Sequence, residues 1–140
     1  TALSNYVADN NGTVGYTEVS FVIEREAKGM KAAYIKNAAG KYVYPSSANV
    51  SAFLSDYTPG AKGTISFKYD NKDASAYPIA AVTYLLGKTT PSAKNAIVSN
   101  FATFLLDECG PQLAESLYYA PVTGSLLKAA ESLAKTINAG

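Results

Sequence analysis

Hydrophobic side chains recur every three or four residues in the last third of the chain, which is the spacing of a helix that packs by one face. This spacing predicts a helix from Ser92 to Glu108 and a final helix from Thr123 to Ile137. We expect Gly110-Pro111 to end the first helix and a short helix from Pro111 to Leu117 to follow. The predicted packing stripes are Ala93, Ile97, Phe101, Phe104 and Leu105 in the first helix, and Leu126, Ala130, Leu133 and Ile137 in the last.

The first part of the chain predicts shorter elements separated by turn residues. Thr1 to Ala8 is predicted to be the end of a helix, which the turn residues Asp9 to Gly12 terminate. A short strand is expected from Thr13 to Tyr16, and a helix from Val19 to Ala27. Pro45-Ser46-Ser47 is a helix-start signal, and apolar residues follow it at helical spacing.

Extended segments are predicted on both sides of a turn at Asn37 to Gly40. They are Ala32 to Lys36 and Lys41 to Tyr44, and the second alternates side chains with the period of a strand. The segment from Asp56 to Asp73 is rich in Gly, Lys, Asp and Asn. It is predicted to be a surface excursion with at most an edge strand at Thr64 to Tyr69.

The strongest strand signal of the chain runs from Tyr77 to Leu86 and ends at Gly87 to Pro91. Its nearly continuous apolar character predicts a strand covered on both faces. Strands early and helices late predict an α/β fold with a small mixed sheet flanked by helices. A length of 140 residues predicts a single domain, residues 1–140, with one core.

Composition and charge exclude several classes of partner. Hydrophobic residues make up 48% of the chain and charged residues 16%, so a disordered chain is excluded. The formal charge is +1 and Arg25 is the one arginine, so no basic patch for nucleic acid is present. Apolar runs are far shorter than the about 20 residues of a membrane helix.

The composition also predicts where the protein works. A low charged fraction, a single cysteine and many Tyr, Ser, Thr, Asn and Ala residues are typical of an exported bacterial protein. We therefore expect an extracellular or periplasmic location. The chain does not begin with Met, so a processed or truncated N-terminus is expected, with a membrane anchor supplied through a missing N-terminal segment.

The sequence contains few candidates for catalytic or metal-binding residues. Histidine is absent, which excludes Ser-His-Asp and Cys-His catalysis and the common zinc sites. Cys109 is predicted to be a small apolar group of the core. The carboxylate neighbours Glu24 with Glu26, and Asp107 with Glu108, do not face each other on a helix and are predicted to be surface charge. We predict no catalytic or metal-binding residue, no cofactor and no enzyme activity.

Two further patterns have a binding interpretation and a structural one. Gly12-Thr13-Val14-Gly15 lacks the Lys-Ser/Thr pair of a P-loop and the third glycine of a dinucleotide site. We interpret Gly12 as a helix end and Gly15 as a point of close backbone approach. Among the 11 tyrosines, a sugar-stacking platform is the alternative to packing at the core margin, which the amphipathic ring favours. The candidate platform residues are Tyr42, Tyr44, Tyr118 and Tyr119.

The order of these motifs resembles a known family. The motifs are GTVGYTE at 12–18, KNAAGKYV at 36–43 with Pro45-Ser46, YPI at 77–79 and YYAPV at 118–122, each in front of or behind an apolar helix. This order closely resembles the C-terminal portion of the phosphate-binding protein of the bacterial high-affinity phosphate ABC importer. That family carries G-S-I-G-Y-x-E, G-K-x-V-x-P-S/T, Y-P-I and Y-x-P-L/V elements, and the match runs through nearly the whole chain.

The resemblance implies a type II periplasmic-binding-protein architecture, in which two α/β lobes joined by crossing strands close over one anion. It implies that this chain is part of one lobe. Residues 1–18 would form the return strand near the hinge, and residues 19–140 would form the lobe with its C-terminal helices. Gly12 to Glu18 would then be structural rather than a phosphate loop.

The family's phosphate-gripping groups are missing from this chain. Members are roughly twice as long, and the motifs that bind the anion lie in their N-terminal half: a Thr-Phe loop, a Ser at a helix start, an Asp, and an Arg with a Ser-Gly-Thr helix start. None of these motifs occurs here, so no ligand-binding residue is carried over. The resemblance thus predicts a fragment or domain that supplies scaffold without the main ligands.

Two functions follow as expectations. The first is a substrate-binding component of a phosphate ABC transport system, with inorganic phosphate bound only by the full-length protein. Its partners would be the missing N-terminal half or a second copy of the chain, and the importer's membrane subunits. The alternative is a freestanding extracellular module that binds a protein or glycan through its tyrosines.

Overall fold

Helices dominate the computed structural model, which describes residues 1–138. The α-helices are α1 (Ala2–Asp9), α2 (Val19–Ile23), α3 (Ser47–Leu54), α4 (Ala93–Phe104), α5 (Gly110–Leu113) and α6 (Gly124–Thr136). Short 3₁₀ turns cover Glu26–Lys28 and Glu115–Leu117, and a π-helical turn covers Leu105–Cys109. The last two residues of the predicted single domain and lobe, 139–140, lie outside the described residues.

The sheet is smaller than the sequence predicts. It consists of β1 (Ile35–Lys36) and β2 (Tyr42–Val43), which pair antiparallel around the predicted turn, with Ile35 opposite Val43. The expected mixed sheet is therefore wrong for residues 1–138, where this hairpin is the one sheet. The strands predicted at Thr13–Tyr16 and Tyr77–Leu86 are wrong within residues 1–138, because neither stretch pairs with another strand and the second bends at residues 78–79.

Side-chain caps begin α1, α3 and α4, and the last two of these helices begin where the sequence predicts them. Thr1 and Ser4 form a capping box at α1. The Thr1 hydroxyl accepts a hydrogen bond from the Ser4 backbone N–H, and the Ser4 hydroxyl accepts one from the Thr1 amine. The hydroxyl of Ser46 accepts a hydrogen bond from the backbone of α3, and that of Ser92 does so for α4. The helix starts at Pro45-Ser46-Ser47 and at Ser92 are confirmed.

Two predicted helices differ from the observed ones. The helix expected from Val19 to Ala27 is a single turn followed by a 3₁₀ turn. The stop expected at Gly110-Pro111 is wrong, because the chain passes through the π-helical turn directly into α5. Pro111 lies in the first turn of α5, directly after the π-helical turn. The helical path ends at Tyr118, whose φ is 64°.

An aromatic cluster centred on Phe53 forms the main core. Phe53 is 1% exposed, and its ring centroid lies 5.3 Å from that of Tyr57 and 6.0 Å from that of Phe67. Ala76 is buried in the same cluster, and Leu126 of α6 packs against it. The Tyr57 hydroxyl accepts a hydrogen bond from the Lys68 backbone and donates one to the Lys68 carbonyl. The core therefore joins α3, the following loop and α6.

The segment from Asp56 to Asp73 contributes to this core, although it was predicted to be a surface excursion. Ile65 and Phe67 pack on the Phe53 cluster, while the intervening Ser66 is exposed. Burial therefore alternates along this stretch, as the sequence predicts, although the stretch pairs with no strand. The interpretation as a surface excursion is wrong, because three of the four rings in the aromatic cluster, Tyr57, Phe67 and Tyr69, come from this segment.

The buried side chain of Asn37 fastens the hairpin to the segment that leads into the core. Its amide nitrogen donates to the carbonyls of Asp73, Ala74 and Ala76 at 3.0–3.2 Å. Its amide oxygen accepts from the backbone N–H groups that close the hairpin turn. Both the nitrogen and the oxygen of this buried side-chain amide are therefore hydrogen-bonded to backbone groups, as a buried polar group requires.

Replacing Asn37 should destabilise the fold strongly. Asn37→Ala leaves backbone carbonyls and N–H groups unpaired in a buried site, so we expect a loss of about 3 kcal/mol in the free energy of unfolding. Chemical denaturation measures it. Asn100→Ala, at an exposed position of α4, is the control and should change stability by less than about 0.5 kcal/mol. Equal effects of the two substitutions would contradict the assigned role of the Asn37 amide.

Candidate functional site

Residues 79–86, here called the open strand, follow a bend at residues 78–79 and have no strand partner within the described residues. Its start is fixed where the Tyr77 N–H donates to the Asn49 carbonyl at 3.0 Å. Between described residues, no backbone–backbone hydrogen bond involves residues 78–87. Backbone N–H and C=O groups in this state form a ready template for another strand.

Exposure alternates along the first half of the open strand, where Ala80 and Val82 are half-buried and Ile79 and Ala81 are exposed. On the inner face, Ala80 packs against the Phe53 cluster, and the Tyr84 hydroxyl accepts a hydrogen bond from the Ile65 N–H at 3.0 Å. On the outer face, Ile79 is 42% exposed and Leu85 53% exposed. The predicted strand character is therefore present on one face, whereas the prediction of cover on both faces is wrong within residues 1–138.

The apolar stripe of α4 is exposed too. Ile97, Phe101 and Phe104 were predicted to pack inward, yet 69%, 51% and 47% of their respective surfaces are accessible. α4 instead meets α6 through its small residues: Ala102 is buried, and the Ser99 hydroxyl donates to the Ala134 carbonyl at 2.9 Å. The prediction of this stripe as a core face is wrong within the described residues, and the stripe is a second apolar surface.

The segment Gly12 to Glu18 has a structural role on α1. Gly12 has a φ of +79°, the left-handed conformation that glycine adopts readily after a helix. A Cβ on Gly15 would lie 2.8 Å from a methyl group of Val7 and 3.3 Å from one of Leu3. Gly15 is therefore a point of close approach, but its neighbours are the side chains of Val7 and Leu3 and not the backbone that was predicted. Val14 remains 93% exposed.

Two of the four candidate tyrosines share one cleft of about 390 Å³. Tyr44 and Tyr118 line it together with Glu115, while Tyr42 and Tyr119 lie outside it and are largely exposed. The remaining lining residues are Val19, Ile23, Pro45, Ser46, Ser47 and Ala48. The structure thus brings together half of the proposed sugar-stacking platform, beside the start of α3.

The lining of this cleft is mostly apolar, with one carboxylate, that of Glu115. Desolvation raises the pKa of the Tyr44 hydroxyl above its ordinary value, with smaller contributions from Glu26 and Tyr34. The Ser47 hydroxyl oxygen is buried without a hydrogen-bond partner. The sequence predicts a helix start at Pro45-Ser46-Ser47 but not the cleft beside it. The cleft forms because Val19 and the turn at Tyr118, which are far apart in the sequence, meet at this helix start.

The chain's one arginine is committed to internal contacts. The Arg25 guanidinium donates to the Asn5 side-chain oxygen, the Phe21 carbonyl and the Glu24 carboxylate at 2.9–3.1 Å. It also lies 5.6 Å from the centre of the Phe21 ring. Glu24 therefore pairs with the Arg25 guanidinium and not with the Glu26 carboxylate. An arginine so fully engaged is not positioned to grip an anion.

The remaining charged candidates do not converge on a site. A wider depression of about 790 Å³ along residues 56–72 mixes Lys68 and Lys72 with aspartates, so its charges offset one another. Asp107 and Glu108 are exposed, and Cys109 is half-buried beside them. Within residues 1–138, no group of three or more His, Cys, Asp or Glu side chains could hold a metal ion. None of the described helices is both long and apolar enough to traverse a bilayer.

Comparison with known proteins gives distant relatives of one kind. The chain is 32% identical over 109 residues to the phosphate-binding protein PstS of Methanocaldococcus jannaschii, covering 69% of this chain and 27% of that protein. It is 25% identical over 133 residues to PstS of Xylella fastidiosa strains Temecula1 and 9a5c, covering 93% of this chain and 35% of each relative. No family model and no solved structure matches the chain.

These matches confirm the resemblance to phosphate-binding proteins as distant homology over most of the chain. The chain spans about a third of the length of the curated relatives it matches, rather than the half that the resemblance implied. The relatives are binding proteins by name.

The tyrosine that precedes the open strand should make stability depend on pH. Burial raises the pKa of Tyr77, and Tyr16 adds a smaller contribution. Because an unfolded tyrosine ionises near pH ~10, its stabilising contribution is complete below that pH and is lost as the pH rises towards the folded-state pKa. Tyr77→Phe should therefore reduce the fall in unfolding free energy between pH ~9 and ~11. An identical fall in both proteins would contradict this assignment.

Proposed function

We propose that the chain is a part of the substrate-binding component of a phosphate ABC transport system, and that it supplies scaffold without the main phosphate ligands. The observation that carries the proposal is the homology over 93% of this chain to phosphate-binding proteins about three times as long. Inorganic phosphate is then a ligand of the whole protein. The importer's membrane subunits are its partners, and it acts outside the cytoplasmic membrane.

The exposed apolar surfaces support this proposal. Leu86 of the open strand is 87% exposed, and the α4 stripe is about half exposed or more. A small monomeric protein rarely exposes both an unpaired strand and an apolar helix face to water. Such surfaces are expected where a part of a larger protein meets the rest of it. The residues that bind phosphate would then come from that other part, since Arg25 is engaged internally.

A freestanding module that binds a protein or glycan through its tyrosines is the alternative function. The cleft between Tyr44 and Tyr118 favours it, because a ring face beside an apolar wall suits a sugar. It also requires a complete sheet and no large exposed apolar surface. The open strand and the exposed face of α4 do not meet that requirement, so the transport function is preferred.

A segment exchange tests the transport function. Replacing the matched 133-residue segment of the Xylella fastidiosa protein with this chain should give a chimera that binds phosphate in calorimetry. The same relative with the segment deleted is the matched control and should not bind, because it lacks that part of the scaffold. The 140-residue chain alone should also give no heat of phosphate binding.

Two results would contradict the proposal. One is micromolar phosphate binding by the isolated chain, since the ligands would then lie within it. The other is a chimera that unfolds cooperatively, which shows that it is folded, but does not bind phosphate.

A further inference from the structure

We propose that Asn11 is a modification site of this chain, at which the side-chain amide is lost by spontaneous deamidation through a cyclic imide. Asn11-Gly12 is the one asparagine–glycine pair of the sequence, and it forms a turn shortly after α1. Because the change is covalent and lies within the described chain, it is independent of phosphate binding and of what covers the apolar surfaces.

The reaction needs no reagent other than water. The backbone nitrogen of Gly12 attacks the side-chain carbonyl carbon of Asn11 and forms an N–C bond, while the side-chain nitrogen leaves as ammonia with the proton of the Gly12 N–H. Water then adds to one of the two carbonyls of the imide and breaks its bond to nitrogen. Opening on one side gives aspartate. Opening on the other gives isoaspartate, whose main chain passes through the former side chain.

The Asn11 side chain is free to reach the Gly12 nitrogen. It is exposed, and within residues 1–138 no hydrogen bond holds its amide. The neighbouring Asn10 differs, because its side-chain nitrogen donates to the Tyr6 carbonyl at 2.8 Å. The Asn37 amide is buried and bonded at both its nitrogen and its oxygen. Of these asparagines, Asn11 alone has a side chain that no contact restrains.

The nucleophilic nitrogen is equally accessible. Between described residues, no backbone–backbone hydrogen bond involves Gly12, and a Cβ placed there would meet no atom within 4 Å. Glycine has no side chain to hinder the attack, and it moves readily between backbone conformations from its present φ of +79°. The turn is closed by the Thr13 hydroxyl, which donates to the Asn10 carbonyl at 2.7 Å. Reaching the reactive geometry therefore disturbs one exposed hydrogen bond and no part of the core.

Asn100 provides an internal control. Its side chain is exposed like that of Asn11, but it lies inside α4 and is followed by Phe101. The helix fixes the backbone on both sides of Asn100, and the Phe101 side chain hinders the approach of the nitrogen that would have to attack. Exposure alone therefore does not distinguish the two asparagines, whereas the turn and the following glycine do.

Peptide mass mapping of the 140-residue chain after incubation at neutral pH tests the proposal. The peptide that contains Asn11 should gain about 1 Da. The formal charge of the modified chain falls from +1 to zero, so ion exchange should separate it. Because the turn opens easily, the folded chain should react at Asn11 within about tenfold of its rate in urea. The peptide that contains Asn100 should keep its mass.

Three results would overturn the proposal. One is a folded chain that keeps Asn11 intact while the chain in urea reacts, since the fold would then protect the site. Another is faster deamidation at Asn100, or at any other asparagine, than at Asn11. The third is aspartate without isoaspartate, because direct hydrolysis of the amide would then replace the imide.

Two substitutions separate the chemistry of the turn from folding. Gly12→Ala keeps the Asn11 amide but places a Cβ next to the attacking nitrogen and disfavours the positive φ, so the mass gain should slow by at least about tenfold. A mass gain at the unchanged rate would contradict the role of the Gly12 nitrogen. Asn11→Asp supplies the aspartate product as a standard, from which the isoaspartate form should elute separately. Thermal unfolding of both variants checks that they remain folded.

Discussion

An extended backbone cannot satisfy its own hydrogen bonds, and this constraint governs the structure. Helices close their hydrogen bonds within one segment, so α4 and α6 form from local sequence, and the Ser92 side chain caps the start of α4. A strand needs a neighbour, and among residues 1–138 the one strand pair is the β1–β2 hairpin, whose partners are joined by a short turn. The open strand has the composition and alternation of a buried strand and no neighbour there. What the molecule exposes follows from that difference.

The part of the structure that does close depends on a few long-range contacts around Phe53. α6 reaches this cluster through Leu126, and the Ser125 hydroxyl donates to the Tyr57 carbonyl at 3.1 Å. At its other end, the Asn138 N–H bonds the Lys88 carbonyl at 3.3 Å. α6 therefore spans from the aromatic core to the end of the open strand. The end of α6 thus fixes the end of the open strand, while Asn49 of α3 fixes its start, and the outer face of the strand stays uncovered.

The sequence predicts the local elements well and their environment poorly. Ser46 and Ser92 are caps whose hydrogen bonds lie within a few residues, so the starts of α3 and α4 are legible from the sequence. The stripe containing Phe101 was legible as apolar, but periodicity does not say whether a partner surface is present. The Asn37 amide was not legible, because its acceptors lie 36–39 residues away and its neighbours in sequence describe an ordinary turn.

The same distinction separates scaffold from ligand chemistry at the candidate site. The Arg25 guanidinium ties α1 to the turn after α2 through Asn5 and Glu24, so the charge best suited to bidentate anion recognition stabilises the fold instead. Ser47 lines the cleft at the start of α3, but Glu115 in the same cleft places a carboxylate where an anion would have to bind. A chain with these features can hold a shape and offer apolar surfaces. Under the proposed function, phosphate is recognised by side chains that the rest of the longer protein supplies.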